Sequence, residues 1–320
     1  MQYLVTGGTG FVGAYVVRDL AQQGHQVTVF DLAPNRDFLK DVLPAPARER
    51  VRVVAGDVTD LPFLLRTLRD SQSERIVHLA ATLGASSETN PLRALRVNCE
   101  GTINIFEAAL LCNIQKVVWA SSIAVFGPAR RRLPGAIAND AYHRPNDLYG
   151  ACKSLNEQFG RHYRQQRGLD GVGVRFSVVY GYGKGLTVAR GTGADFLTEL
   201  VEKPALGQAG VVPHGDAVLD WLYVEDAARA VALASQTPNN PSIGLNICGE
   251  RCAIREVATL VKQLLPQAQV QVQDGIWGGA MHYEAAIAEA EIGYSPQVTL
   301  TEGLRRYINA LRGKHGLPQI

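Results

Sequence analysis

Residues 2–22, QYLVTGGTGFVGAYVVRDLAQ, carry the fold: an apolar run (2–6) leads into glycines at 7, 10 and 13, and an amphipathic stretch (15–22) follows. That is the order strand, tight turn, helix. Glycine at these places lets the backbone turn sharply and approach a pyrophosphate, whose charge meets the N–H groups and positive end of the next helix. Gly7, Gly10 and Gly13, with Phe11 and Val12 between them, are therefore expected to hold a dinucleotide. A second apolar run, 26–30, ends in Asp31, about twenty residues beyond the glycines, where a carboxylate accepts from the adenosine ribose hydroxyls. Asp31 favours NAD, because a 2′-phosphate would meet like charge there, although Arg36 is near enough in sequence to keep NADP open.

Apolar strand-like runs recur at 52–55, 76–80, 116–121 and 173–179, separated by helix-like segments that include 92–111 and 149–166. Such alternation means a parallel sheet covered on both faces. Ligands of these sheets bind beyond the carboxyl ends of the strands, which directs attention to Asp57, Val58, Leu79, Ala80, Ala81, Thr82, Ser121 and Ser122. After Val179 comes a glycine-rich stretch, YGYGKGLTVARGTG (180–193), and the alternation fades. The expected fold is α/β, a Rossmann-type doubly wound parallel sheet with a second, smaller substrate-binding lobe. Residues 1–177 and 216–249 form its dinucleotide-binding part, and 178–215 and 250–320 the lobe.

Tyr149 and Lys153 lie four residues apart in YGACK, on one side of a helix. A phenol ionises near 10, and bringing it to neutrality requires roughly 4 kcal/mol of electrostatic help. An ammonium about 4 Å away supplies about that much at an effective dielectric near 20. The pattern alone also fits an exposed helix face; the glycine loop ahead of it points to chemistry.

The 320-residue chain is long enough for a substantial core. Its 32 basic and 30 acidic residues leave a net charge of +2, which gives no reason to expect nucleic acid or a membrane surface as a partner. A glycine loop interrupts the start where a signal peptide needs an uninterrupted apolar core, so a cytoplasmic protein is expected. Five cysteines, at 99, 112, 152, 248 and 252, fit reduced thiols, and Cys248 and Cys252 lack the second ligand pair of a zinc site. No metal is expected.

TGGTGFVG, Asp31, GDVTD, HLAA, VNCEGTINIFEAA, ASSIAVFG, YGACK, VRFSVVYG, DWLYVEDAA and GYSP together resemble the NAD-dependent epimerase/dehydratase family, the extended short-chain dehydrogenases, over nearly the whole chain. The resemblance implies an NAD-dependent oxidoreductase in which Ser122 and Tyr149 hydrogen-bond a substrate hydroxyl and Tyr149 takes its proton while a hydride passes to the cofactor. Lys153 lowers the Tyr149 pKa and holds the nicotinamide ribose. Asp57 and Val58 match adenine contacts; Leu79, Ala80 and Ser121 match walls of the ribose and nicotinamide site; Phe176 packs beside the nicotinamide. Asn98 matches a structural asparagine. A homodimer paired through the helices at 92–111 and 149–166 is also implied.

Departures from the family pattern narrow the substrate. Nucleotide-sugar enzymes of the family carry an Asn and an Arg on the diphosphate where this chain has Val178 and Leu219, and a diphosphate buried without cations is poorly compensated. Dehydratases carry an Asp-Glu pair where Ile123 and Ala124 stand. SSIAVFGP and GTGADF resemble threonine dehydrogenases, and DFLTELVEKPALGQ resembles sugar-acid dehydrogenases. A small hydroxylated substrate, a hydroxy acid or sugar acid, is the leading reading; an epimerase that retains its NAD, or a non-catalytic NAD-binding protein, are the alternatives. Thr82 and Ser86 either line the pocket or cap a helix near Pro91. Arg190 and Thr192 lie where the family grips substrate, and Arg130–Arg132 is either an anion site or a solvated charge run. His143 and His214 are either proton carriers or ordinary packed or surface residues.

Overall fold

The computed structural model describes residues 1–130, 135–188, 195–276 and 281–320. In chain order its strands are β1 (Gln2–Thr6), β2 (Gln26–Asp31), β3 (Val51–Ala55), β4 (Arg75–His78), β5 (Lys116–Ser122), β6 (Gly171–Phe176), β7 (Val178–Tyr180), β8 (Gly210–Val212), β9 (Val218–Tyr223), β10 (Gly244–Ile247), β11 (Glu250–Ala253) and β12 (Val270–Val272). Seven form a parallel sheet in the order β10-β6-β5-β4-β1-β2-β3. The principal helices are α1 (Phe11–Gln22), α2 (Arg36–Val42), α3 (Gly101–Leu111), α4 (Leu148–Arg167), α5 (Val224–Gln236), α6 (Ile254–Leu264) and α7 (Leu300–Lys314).

The central strands are apolar through their middle residues, because both faces are covered. Neighbouring residues enter opposite cores, as a two-residue period demands: Val5, Val77 and Val118 pack on one side, and Leu4, Ile76 and Val117 on the other. From β1 the chain winds outward to β2 and β3, then returns to β4 and winds the other way. The crevice at this reversal lies beyond the carboxyl ends of β1 and β4, where doubly wound sheets take their ligands.

Two expectations change. The run 173–179 is not one strand: β6 ends at Phe176, and after Ser177 the chain enters β7, which pairs with β9 and, through it, β11 in a separate three-stranded sheet. The segment 92–111 is not one regular helix either. A short helix, Pro91–Leu95, passes through a π turn, Arg96–Glu100, before α3 begins. The wider turn places Asn98 in a buried position, where its amide exchanges two hydrogen bonds with the Thr82 backbone, at 2.8 Å and 2.9 Å. No helix among the described residues is long and apolar enough to cross a membrane.

Candidate active site

The glycine loop is built by close approach. Gly7 has φ +67°, and a Cβ there would stand 2.8 Å from the Ala80 nitrogen; one on Gly13 would stand 2.1 Å from the Gly7 oxygen. These contacts bring the start of α1 against β1 and β4. At Gly10 the only atom among the described residues near a Cβ is the Gly7 oxygen, at 3.2 Å, so this glycine borders open space. No side chain caps α1 and no acidic residue stands in its first turn, which leaves its N–H groups available to an anion. Thr9 joins the loop to β2: its N–H and hydroxyl donate to Asp31 Oδ2 at 3.1 Å and 2.6 Å. Arg36 donates to the Val53 carbonyl at 3.3 Å.

Beyond β3, Asp57 accepts from the Thr59 N–H at 2.9 Å, and the Val58 carbonyl accepts from Asn104 at 3.0 Å. After β4, the Leu79 N–H donates to the Thr6 carbonyl and the Ala80 N–H to the Thr6 hydroxyl. Ala81 and Thr82 follow, half-buried, with Thr82 fixed by Asn98. The helix at Pro91 is capped by Asn90, whose Oδ1 accepts from Arg93 at 3.1 Å, so capping there is not the role of Thr82 or Ser86.

Ser122 ends β5, and its hydroxyl accepts from the Ala124 N–H at 3.1 Å, opening a short 3-10 turn. Asp147 caps α4 by accepting from Gly150 at 2.6 Å. That first turn carries Tyr149 and docks on the chain after Ser122, where a Cβ on Gly150 would stand 2.7 Å from the Ala124 oxygen. Tyr149 is thereby brought near Ser122, whose hydroxyl favours the phenolate. Lys153, one turn on and buried, donates to the Ala120 carbonyl at 2.7 Å, with Nζ 5.5 Å from the centroid of the Tyr149 ring. Phe176 lies beside Ser122 in the β5–β6 register.

The electrostatics differ from the expected pairing. Burial lifts the Tyr149 phenol to about 12, with Ser122 working the other way, and burial brings the Lys153 ammonium down to about 8. Among the protein's own groups, Ser122 is the one that favours the Tyr149 phenolate. The physical reason for both shifts is desolvation, which penalises both charged forms.

The NAD dependent epimerase/dehydratase family matches residues 3–248. The chain belongs to this family. It is 27% identical to a D-erythronate dehydrogenase of Cupriavidus necator, over 96% of this chain and 98% of that one. Among solved structures it is similar to a UDP-glucose 4-epimerase of Thermus thermophilus in complex with NAD, at 27% identity and TM-score 0.80, covering 98% of this chain and 99% of that one. A partial-consensus L-threonine 3-dehydrogenase, 21% identical with TM-score 0.84 over 98% of this chain and all of that one, shows the same fold.

This family member is an NAD-dependent enzyme of the extended short-chain dehydrogenase type. The loop fits the dinucleotide: Gly10 leaves room where a side chain would intrude, α1 presents uncapped N–H groups, and Asp31 uses Oδ2 on Thr9 while Oδ1 faces no described donor. Arg190, Thr192, Arg131 and Arg132 lie outside the described residues. Ser86 sits in a helix at Gly84–Thr89. His214 is exposed at a turn, whereas His143 joins a buried cluster.

That cluster is what sequence reading missed. Glu157 binds Arg175 twice, at 2.8 Å and 2.6 Å, and accepts from the Ser121 hydroxyl at 2.5 Å. His143 Nε2 stands 3.4 Å from Glu157 Oε2. Burial alone would raise the Glu157 carboxyl, but Arg175, His143 and Ser121 together hold it below the usual range. The four-residue spacing of Tyr149, Lys153 and Glu157 on one helix face was the available signal.

Proposed function

We propose that the protein is a dehydrogenase that oxidises a small hydroxylated metabolite of the hydroxy-acid or sugar-acid type with NAD. The observation that carries this reading is the apolar character of the two positions where nucleotide-sugar enzymes resembling it grip a diphosphate. Val178 pairs with Trp221 in the small sheet, and Leu219, opposite Cys252, is fully buried in the apolar core. A diphosphate placed there would lose its water and gain no cation from these two positions. Full-length similarity to an enzyme named for a sugar acid supports the same conclusion.

In this reading Ser122 and Tyr149 orient the substrate hydroxyl, and Tyr149 moves its proton. Thr82 and Ser86, with Arg190 and Thr192, supply substrate contacts, and residues 178–215 and 250–320 serve as the substrate-binding lobe. NAD, when bound, accepts the hydride and brings a positively charged ring. A phenol near 12 holds its proton at neutral pH, so Tyr149 is set to protonate an alkoxide and needs added positive charge nearby to act as a base. Leu92, Leu95 and Leu155 are 60%, 48% and 40% exposed on the helices expected to pair in a homodimer, which sedimentation would test.

The second reading is an epimerase, favoured by the similarity to an enzyme solved with NAD. Incubation with NAD and a panel of polar alcohols and hydroxy acids, followed by NADH absorbance, separates the two. Accumulating NADH supports the dehydrogenase. Copurified NAD, conversion of a UDP-sugar and no net NADH would overturn it.

A further inference from the structure

The glycine-rich turn after β7 lies against the start of α1, and one of its side chains carries a charge that no group among the described residues receives. The turn is fixed from both sides. Tyr15 of α1 donates its hydroxyl to the Tyr182 carbonyl at 3.1 Å, and the Tyr182 hydroxyl donates to Asp41 at 3.1 Å. A Cβ on Gly183 would stand 2.3 Å from the Phe38 ring and 3.3 Å from that of Phe11. With φ of 142° at Gly181 and 98° at Gly183, conformations that glycine tolerates, the turn places Lys184 in the interior. Lys184 is 8% exposed, and its Nζ lies 5.6 Å from the centroid of the Phe11 ring. Phe11 is the first residue of α1.

Three lysines are buried among the described residues. Lys116 donates to Asp170 and Asn240, both at 2.7 Å, and Lys153 donates to Ala120. The Lys184 ammonium has no hydrogen-bond acceptor and no ion pair among the described residues. Glu202, whose charge favours the ammonium, is occupied: Oε1 accepts from Gly185 at 3.1 Å and Tyr307 at 2.5 Å, and Oε2 from Thr198 at 3.2 Å. Burial brings the ammonium down to about 8. A buried cation without an acceptor is costly, and here it stands beside a helix end that is itself uncapped and positive. One anion would satisfy both.

We propose that Lys184 donates to the pyrophosphate of NAD, so that the phosphate held by the N–H groups of α1 is also held by a cation from the turn leading out of the main sheet. This rests on the family's cofactor and is the same for a dehydrogenase or an epimerase. The competing anion is a substrate carboxylate.

Calorimetric titration of the full chain with NAD, and with ADP-ribose, which carries the pyrophosphate but no nicotinamide, distinguishes them without turnover. Lys184→Met is expected to weaken both ligands about ten- to hundredfold, the loss of one charge-assisted hydrogen bond. The same variant should melt higher than wild type without ligand, because it no longer buries a charge. Lys184→Arg should bind both ligands more tightly than Lys184→Met, and Lys184→Gln serves for the titration if the methionine variant does not fold. Unchanged ADP-ribose affinity in a folded, charge-free variant would overturn the proposal, and doubly so if the KM of the substrate rose instead.

Discussion

Lys153 donates its ammonium to the Ala120 carbonyl at 2.7 Å while remaining only 3% exposed, so one backbone oxygen is the partner of a charge removed from water. Its folded value of about 8 lies below its ordinary 10.5. Below pH 8 both states are protonated and burying the charge costs on the order of 3 kcal/mol. Between 8 and 10.5 the unfolded chain binds more protons than the folded one, so that cost fades as pH rises. Lys153→Met is therefore expected to melt higher than wild type at pH 7, less than the full amount because Ala120 loses its donor, with the advantage shrinking towards pH 10. Calorimetry at pH 7 and pH 9.5 checks it; an equal or lower melting temperature at pH 7 would refute it.

Tyr149→Phe removes the proton-bearing oxygen and leaves the ring beside Lys153. Turnover should fall by about a hundred- to ten-thousandfold, while NAD affinity stays near that of wild type because the glycine loop and Asp31 are untouched. Parallel assays of NADH formation and of NAD binding decide the point. Full activity would remove Tyr149 from the mechanism.

Gly150→Ala tests the docking of α4 on the residues after Ser122. The added Cβ would meet the Ala124 oxygen at 2.7 Å, backbone against backbone, and the first turn that carries Tyr149 has to move. A shift near 1 Å at a reacting group reduces the rate by about a hundredfold. The expected pattern is a lower kcat with NAD affinity little changed; a kcat equal to wild type would mean that the turn tolerates the methyl group.

The parts of this site legible in the sequence are those fixed by local backbone chemistry. Gly7 and Gly13 announce a turn that only glycine can make, with Gly10 beside open space, and Asp31 ends a strand at the distance such a turn requires. The break at Ser177 was hidden because Val174 and Val179 are both buried, and an apolar run reads the same whether it stays in one sheet or changes sheets. The π turn at 96–100 was hidden for a related reason: one inserted residue barely alters a helical period. The pKa of Lys153 depends on burial contributed by distant elements, and spacing along a helix carries no record of it. Glu157 stood at the right spacing, but its meaning needed Arg175, on another strand.

Asp31→Ala should weaken NAD by about tenfold through the loss of a charged acceptor. It should also narrow the preference for NAD over NADP, since the carboxylate no longer repels a 2′-phosphate. Ratios of kcat/KM with the two cofactors measure this. An unchanged ratio would place discrimination elsewhere, and Arg36, which donates to the Val53 carbonyl, would be the next residue to vary.

Glu157→Gln tests the cluster behind Ser121. Arg175, 3% exposed, would keep its charge and lose the carboxylate that balances it, and breaking a buried pair this way destabilises by about 3–5 kcal/mol. The pH dependence has a definite sign. Glu157 is held below its ordinary 4.5 in the folded state, so its contribution is present above that value and is lost as pH falls through the folded pKa. Wild type should lose stability in that acid window, and Glu157→Gln should lose less across it while being weaker at pH 7. Urea unfolding at pH 7 and pH 4 measures both quantities, and a variant as stable as wild type at pH 7 would show that the Asn139 carbonyl, which Arg175 already meets at 2.6 Å, suffices for the guanidinium.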